Sequence, residues 1–85
     1  MKCYKYINGV IVELAEIPEN YNRFYWQLHH YVKQQQVRRN PELEQYQKLF
    51  FLPTQMHIDL HACIRNFKEK YGISRKELLY GAKYD

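Results

Sequence analysis

The stretch Lys2-Cys-Tyr-Lys-Tyr-Ile-Asn-Gly-Val-Ile-Val-Glu-Leu14 decides the fold class. Asn8-Gly9 stands between two runs of β-forming residues. A type I′ turn needs positive φ at both central positions, and Asn followed by Gly accepts this at little steric cost. A two-residue turn pairs Ile7 with Val10, Lys5 with Val12 and Cys3 with Leu14. Because side chains alternate along a strand, one face carries Cys3, Lys5, Ile7, Val10, Val12 and Leu14, and the other carries Tyr4, Tyr6, Ile11 and Glu13. The aliphatic face is expected to meet helices, and the tyrosine face to stay partly open. A two-stranded ribbon is barely stable alone, so the rest of the chain must cover it.

That remainder reads as helical. Beyond Pro18 and Asn20, residues Tyr21, Phe24, Tyr25, Leu28, Tyr31 and Val32 fall on one side of a wheel turned 100° per residue, which predicts a helix over about 20–36. Asn40-Pro41 is a cap followed by Pro at the first helical position. It opens a helix over 41–52, closed by Pro53. Thr54 caps a third helix, 55–71, whose apolar face is Met56, Leu60, Cys63, Ile64, Phe67 and Tyr71, and Gly72 is placed to stop it. Ser74-Arg-Lys-Glu77 has the form of a capping box and predicts a last short helix over 75–83. The expected architecture is a single small α+β domain: an N-terminal two-stranded antiparallel β-hairpin over residues 2–16, then three or four α-helices. Ile7, Val10, Val12, Leu14, Phe24, Leu28, Val32, Leu43, Phe50, Leu60, Ile64, Phe67 and Leu78 are the expected core.

Composition narrows the function. At 46% hydrophobic and 26% charged, the 85 residues are those of a folded chain, not a disordered one. Nine tyrosines and four phenylalanines let a short chain bury large areas. Ser74 and Thr54 are the lone serine and threonine, and both are accounted for as caps. Gly9, Gly72 and Gly81 stand too far apart for a phosphate-cradling loop. These absences argue against an enzyme, and no motif calls for a small-molecule substrate or a cofactor. The longest apolar runs, Val10–Val12 and Leu49–Leu52, are too short for a membrane span or a signal peptide. A cytoplasmic location with free Cys3 and Cys63 is the expectation.

The leading functional expectation is a small non-catalytic regulator or inhibitor, of the kind phages and mobile elements encode, that docks on a protein partner or on its own copy. Its contact residues would be Tyr4, Tyr6 and Ile11 beside the hairpin edge, together with Trp26 and Lys33. Trp26 draws attention because it lies on the polar side of its predicted helix. A further alternative is metal binding at His57-Ile-Asp-Leu-His61. Histidines at i and i+4 lie one above the other on a helix face and can share one metal ion. Asp59 points elsewhere on the wheel, so a third ligand would come from His29, His30 or a cysteine.

The stretch Phe67-Lys-Glu-Lys-Tyr-Gly-Ile-Ser-Arg-Lys-Glu-Leu-Leu79 resembles the helix-turn-helix units of bacterial regulators, with Gly72 in the turn, Ile73 after it, Ser74 as cap and Leu78 inside the second helix. The resemblance implies DNA binding, with residues 74–83 in the major groove and Arg75, Lys76 and Lys83 as contacts. Arg38 and Arg39 would add phosphate contacts. Lys68 departs from the pattern, since a small residue usually stands four positions before the turn glycine.

Overall fold

The computed structural model describes residues 1–82. Strands β1 (Lys2–Ile7) and β2 (Val10–Leu14) form the expected hairpin in the expected register, Cys3 opposite Leu14, Lys5 opposite Val12 and Ile7 opposite Val10. Asn8 and Gly9 take φ of 46° and 88°, as a type I′ turn requires. The hairpin is half of a larger sheet. Strand β3 (Trp26–His30) and strand β4 (Lys48–Pro53) complete a four-stranded sheet in the order β2-β1-β4-β3. β1 and β4 run parallel, while the two outer pairs are antiparallel.

The segments between are short helices. They are α1 (Gln34–Arg39), a 3-10 turn over Pro41–Tyr46, α2 (Thr54–His61), α3 (Phe67–Tyr71) and a second 3-10 turn over Arg75–Glu77. The long helices expected over 20–36 and 41–52 are therefore corrected to a loop, a strand and a short helix, and to a 3-10 turn and a strand. The reason for β4 is burial on both faces. Leu49, Phe50, Phe51 and Leu52 are all buried, so the central strand is an uninterrupted apolar run with no period-2 signature. Asn40 does cap the segment at Pro41, its side chain accepting from the Glu42 amide at 3.3 Å. The helix expected over 55–71 breaks after His61, and Cys63 sits at φ 56° in the gap. Gly72 ends α3 at φ 80°, as expected. The last helix is corrected to the three-residue 3-10 turn, whose cap Ser74 makes no side-chain bond; its far end, with Lys83, lies outside the described residues.

Two apolar clusters lie on opposite faces of the sheet. The larger contains Phe50, Leu52, Met56, Leu60, Phe67, Ile73 and Leu78, so α2, α3 and the second 3-10 turn cover this side. Tyr4, Tyr6 and Ile11 pack against it, half-buried. Tyr4 stacks on Phe50 at 5.3 Å between ring centroids, and the Tyr6 hydroxyl donates to the Tyr71 carbonyl at 2.6 Å. The tyrosine face of the hairpin is thus the core-facing one. A tyrosine can be buried there because its hydroxyl reaches a backbone acceptor. The aliphatic face points the other way. Cys3, Leu49 and Phe51 are buried beneath Leu14, Tyr21, Trp26 and Leu28, but Ile7, Val10 and Val12 are exposed. Phe24, an expected core residue, is 78% exposed. Gly72 meets the hairpin turn closely: a Cβ on it would lie 3.3 Å from the Gly9 carbonyl oxygen. Among the described residues, no helix is long and apolar enough to cross a membrane.

Candidate metal centre

Three histidines converge on the helix-covered side of β3. His29 comes from β3, whose parity puts Gln27 and His29 on the Phe50 side of the sheet, with His29 paired to Phe50. His57 and His61 come from one face of α2, one turn apart. One nitrogen from each lies within 4.8 Å of the others. His29 Nδ1 is 3.2 Å from His57 Nε2, and His61 Nε2 is 3.0 Å from the same atom. Two imidazole nitrogens on a tetrahedral zinc, each bonded at about 2.0–2.1 Å, stand roughly 3.3 Å apart. The two shorter separations already match that edge.

The hydrogen-bond partners fix which nitrogens are free. The Leu78 carbonyl oxygen lies 2.7 Å from His29 Nε2. A carbonyl only accepts, so Nε2 carries the proton, and the neutral ring leaves a lone pair on Nδ1. Gln27 Oε1 lies 2.5 Å from His57 Nδ1, which places the His57 proton there and the lone pair on Nε2. His29 Nδ1 and His57 Nε2 thus point lone pairs at one another across 3.2 Å. Two acceptors in that position repel unless a cation lies between them. The outer bonds to Leu78 and Gln27 have the form that orients metal-ligating histidines and raises their basicity.

The site also keeps its rings neutral. Burial lowers the His29 pKa to about 4, aided by repulsion from His57, His61 and His30 and opposed by the Leu78 bond. Burial lowers His57, with His61 adding to it. Partial desolvation of its ring also lowers His61, and the positive charges of Lys33 and Arg75 push the same way. Each ring resists a proton and keeps its lone pair for a metal. Burial grades across the site from buried His29 through half-buried His57 to exposed His61, so one side opens to solvent.

Asp59 stays outside the cluster, as its place on the wheel predicts. Its carboxylate accepts from Lys70 at 2.8 Å, from the Tyr71 hydroxyl, and from Gln55 at 3.0 Å. Those bonds hold its pKa down to about 2. Its role is to tie α3 to α2.

The structure brings His57 and His61 together with His29; His30 is turned aside to Gln34, at 3.2 Å. Gln27, the partner of His57, escaped the sequence reading. Only a strand reading of Trp26–His30 would have put Gln27 and His29 on one face. The other candidates are scattered. Trp26 is half-buried with the Lys5 ammonium 4.4 Å above its ring, and Lys33 is exposed beyond the end of β3. Arg38 and Arg39 are exposed in the last turn of α1. The Arg75 side chain, expected to face DNA, is buried instead. Its Nη2 lies 3.3 Å from the Leu60 carbonyl and 3.1 Å from Cys63 Sγ. With Arg75 buried and the second helix reduced to one 3-10 turn, the 67–79 segment lacks the recognition helix that the helix-turn-helix resemblance implied. Cys3 and Cys63 are both free thiols.

Compared with family models, curated proteins and solved structures, the chain has no significant match.

Proposed function

We propose that this chain is a metal-binding protein that holds one divalent transition-metal ion, zinc by preference, on His29 Nδ1, His57 Nε2 and His61 Nε2. The observation that carries the reading is the approach of His29 Nδ1 to His57 Nε2 at 3.2 Å, each ring having an oxygen acceptor at its other nitrogen. Imidazole ligands suit zinc, and the two shorter spacings match its tetrahedral edge. The ion would join β3 to α2, adding a cross-link to a small domain with a thin core. Zinc titration of tag-free, chelator-treated protein by calorimetry tests this. One equivalent should bind, and His61→Ala, which alters an exposed side chain, should abolish tight binding while the circular dichroism spectrum is retained. Wild-type protein that takes up no zinc would refute the reading.

A second reading, self-association, is supported by the edge of the sheet. β2 has no strand on its outer side among the described residues, and Val10 and Val12 are exposed there next to Ile7. Two copies of β2 can pair antiparallel about Val12, setting each Val10 opposite the other copy's Leu14 and continuing an apolar face. Light scattering should show a dimer that Val12→Lys dissociates. A wild-type monomer at high concentration would eliminate this reading.

A further inference from the structure

The metal reading leaves one coordination position unassigned, and the surroundings of the cluster say what fits there. Among the described residues, the group contains three histidines and no carboxylate or thiolate. Structural zinc sites are closed by four protein ligands, whereas sites with three keep the fourth position for water or an exogenous ligand. His61 is exposed, so the cluster opens to solvent on that side.

The charge beside His61 is positive: Arg75 contacts the Leu60 carbonyl and Cys63 Sγ, on either side of it in the sequence. Its Nε is buried with no hydrogen-bond partner. The nearest acidic side chain on α2, Asp59, is occupied by Lys70, Tyr71 and Gln55. A divalent ion bound by three neutral imidazoles keeps its full charge, and the Arg75 guanidinium adds to it. Such a site favours an anion over a neutral molecule.

Resting on the metal reading above, we infer that the fourth position of this centre is an open site for a small anion from solvent, a carboxylate or hydroxide. The anion would replace a bound water, one metal–oxygen bond forming as another breaks, with no redox change.

Cobalt(II) in place of zinc makes the site visible. Acetate and azide, titrated into the cobalt-loaded protein, should each shift the visible absorption bands with saturation at one equivalent per metal. Bands that do not respond to either anion, in protein that has bound cobalt, would overturn the inference and leave the metal reading intact. A thiolate-to-cobalt charge-transfer band would overturn it too, by showing that Cys63 closes the site. Failure to bind cobalt at all would instead refute the metal reading on which the inference stands.

Discussion

Gln27 is not a metal ligand, yet it has a measurable part in the site. Its Oε1 lies 2.5 Å from His57 Nδ1 and selects the tautomer whose lone pair is on Nε2. In Gln27→Ala that selection is lost, and the ring is free to rotate or to adopt the other tautomer. Loss of such an outer partner lowers metal affinity roughly 10- to 100-fold, which is about 1.4–2.7 kcal/mol. The effect can be read as thermal stability. With free zinc at 100 times the wild-type dissociation constant, binding stabilises the wild type by about 2.7 kcal/mol. For a domain of this size that raises the melting temperature by roughly 10–20 °C. At the same zinc concentration the variant gains only about 0.4–1.4 kcal/mol, or roughly 2–11 °C. Gln27→Glu keeps an acceptor in place and should retain wild-type affinity. The assay is a competition titration against a chromophoric chelator, run beside thermal melts with and without zinc. Equal zinc affinity in wild type and Gln27→Ala would refute the argument that Gln27 sets the His57 tautomer.

Other outcomes follow from the fold. The carboxyl of Asp59 is held near 2 in the folded protein, against an ordinary value of 3.8. Its stabilising effect is therefore complete above about pH 4 and is lost as pH falls through about 2, and Asp59→Asn should flatten that part of an acid-unfolding curve followed by circular dichroism. Gly72→Ala forces an L-residue to φ 80° with its Cβ 3.3 Å from the Gly9 carbonyl; chemical denaturation should show a loss of roughly 1–2 kcal/mol. Leu52 is wholly buried in the central strand, so Leu52→Ala should cost about 2–5 kcal/mol by the same measurement.

The hairpin was legible to the residue because Asn-Gly fixes both turn and register locally. Gly72 as a helix stop and Asn40 as a cap were legible for the same reason. β4 was not, because Leu49-Phe-Phe-Leu52 is buried on both faces and its run of apolar residues fits a helix or a strand equally. β3 was hidden by Tyr21, Phe24, Tyr25 and Leu28, whose spacing imitates a helical stripe although Phe24 and Tyr25 are exposed. That error carried over to the site. His57 and His61 were visible as a one-turn pair on a helix, but the partnership of His29 and Gln27 depends on strand parity and on a pairing between segments about thirty residues apart. Hydropathy places the two hairpin faces the wrong way round for a related reason: it ranks valine above tyrosine, but it does not see the Tyr71 carbonyl that receives the Tyr6 hydroxyl.

The most direct test is X-ray absorption at the zinc edge of protein loaded with one equivalent of zinc. A three-histidine centre shows nitrogen and oxygen neighbours alone at about 2.0–2.1 Å, with the multiple-scattering pattern of three imidazoles. A sulfur neighbour at about 2.3 Å, or fewer than three imidazoles, would contradict it.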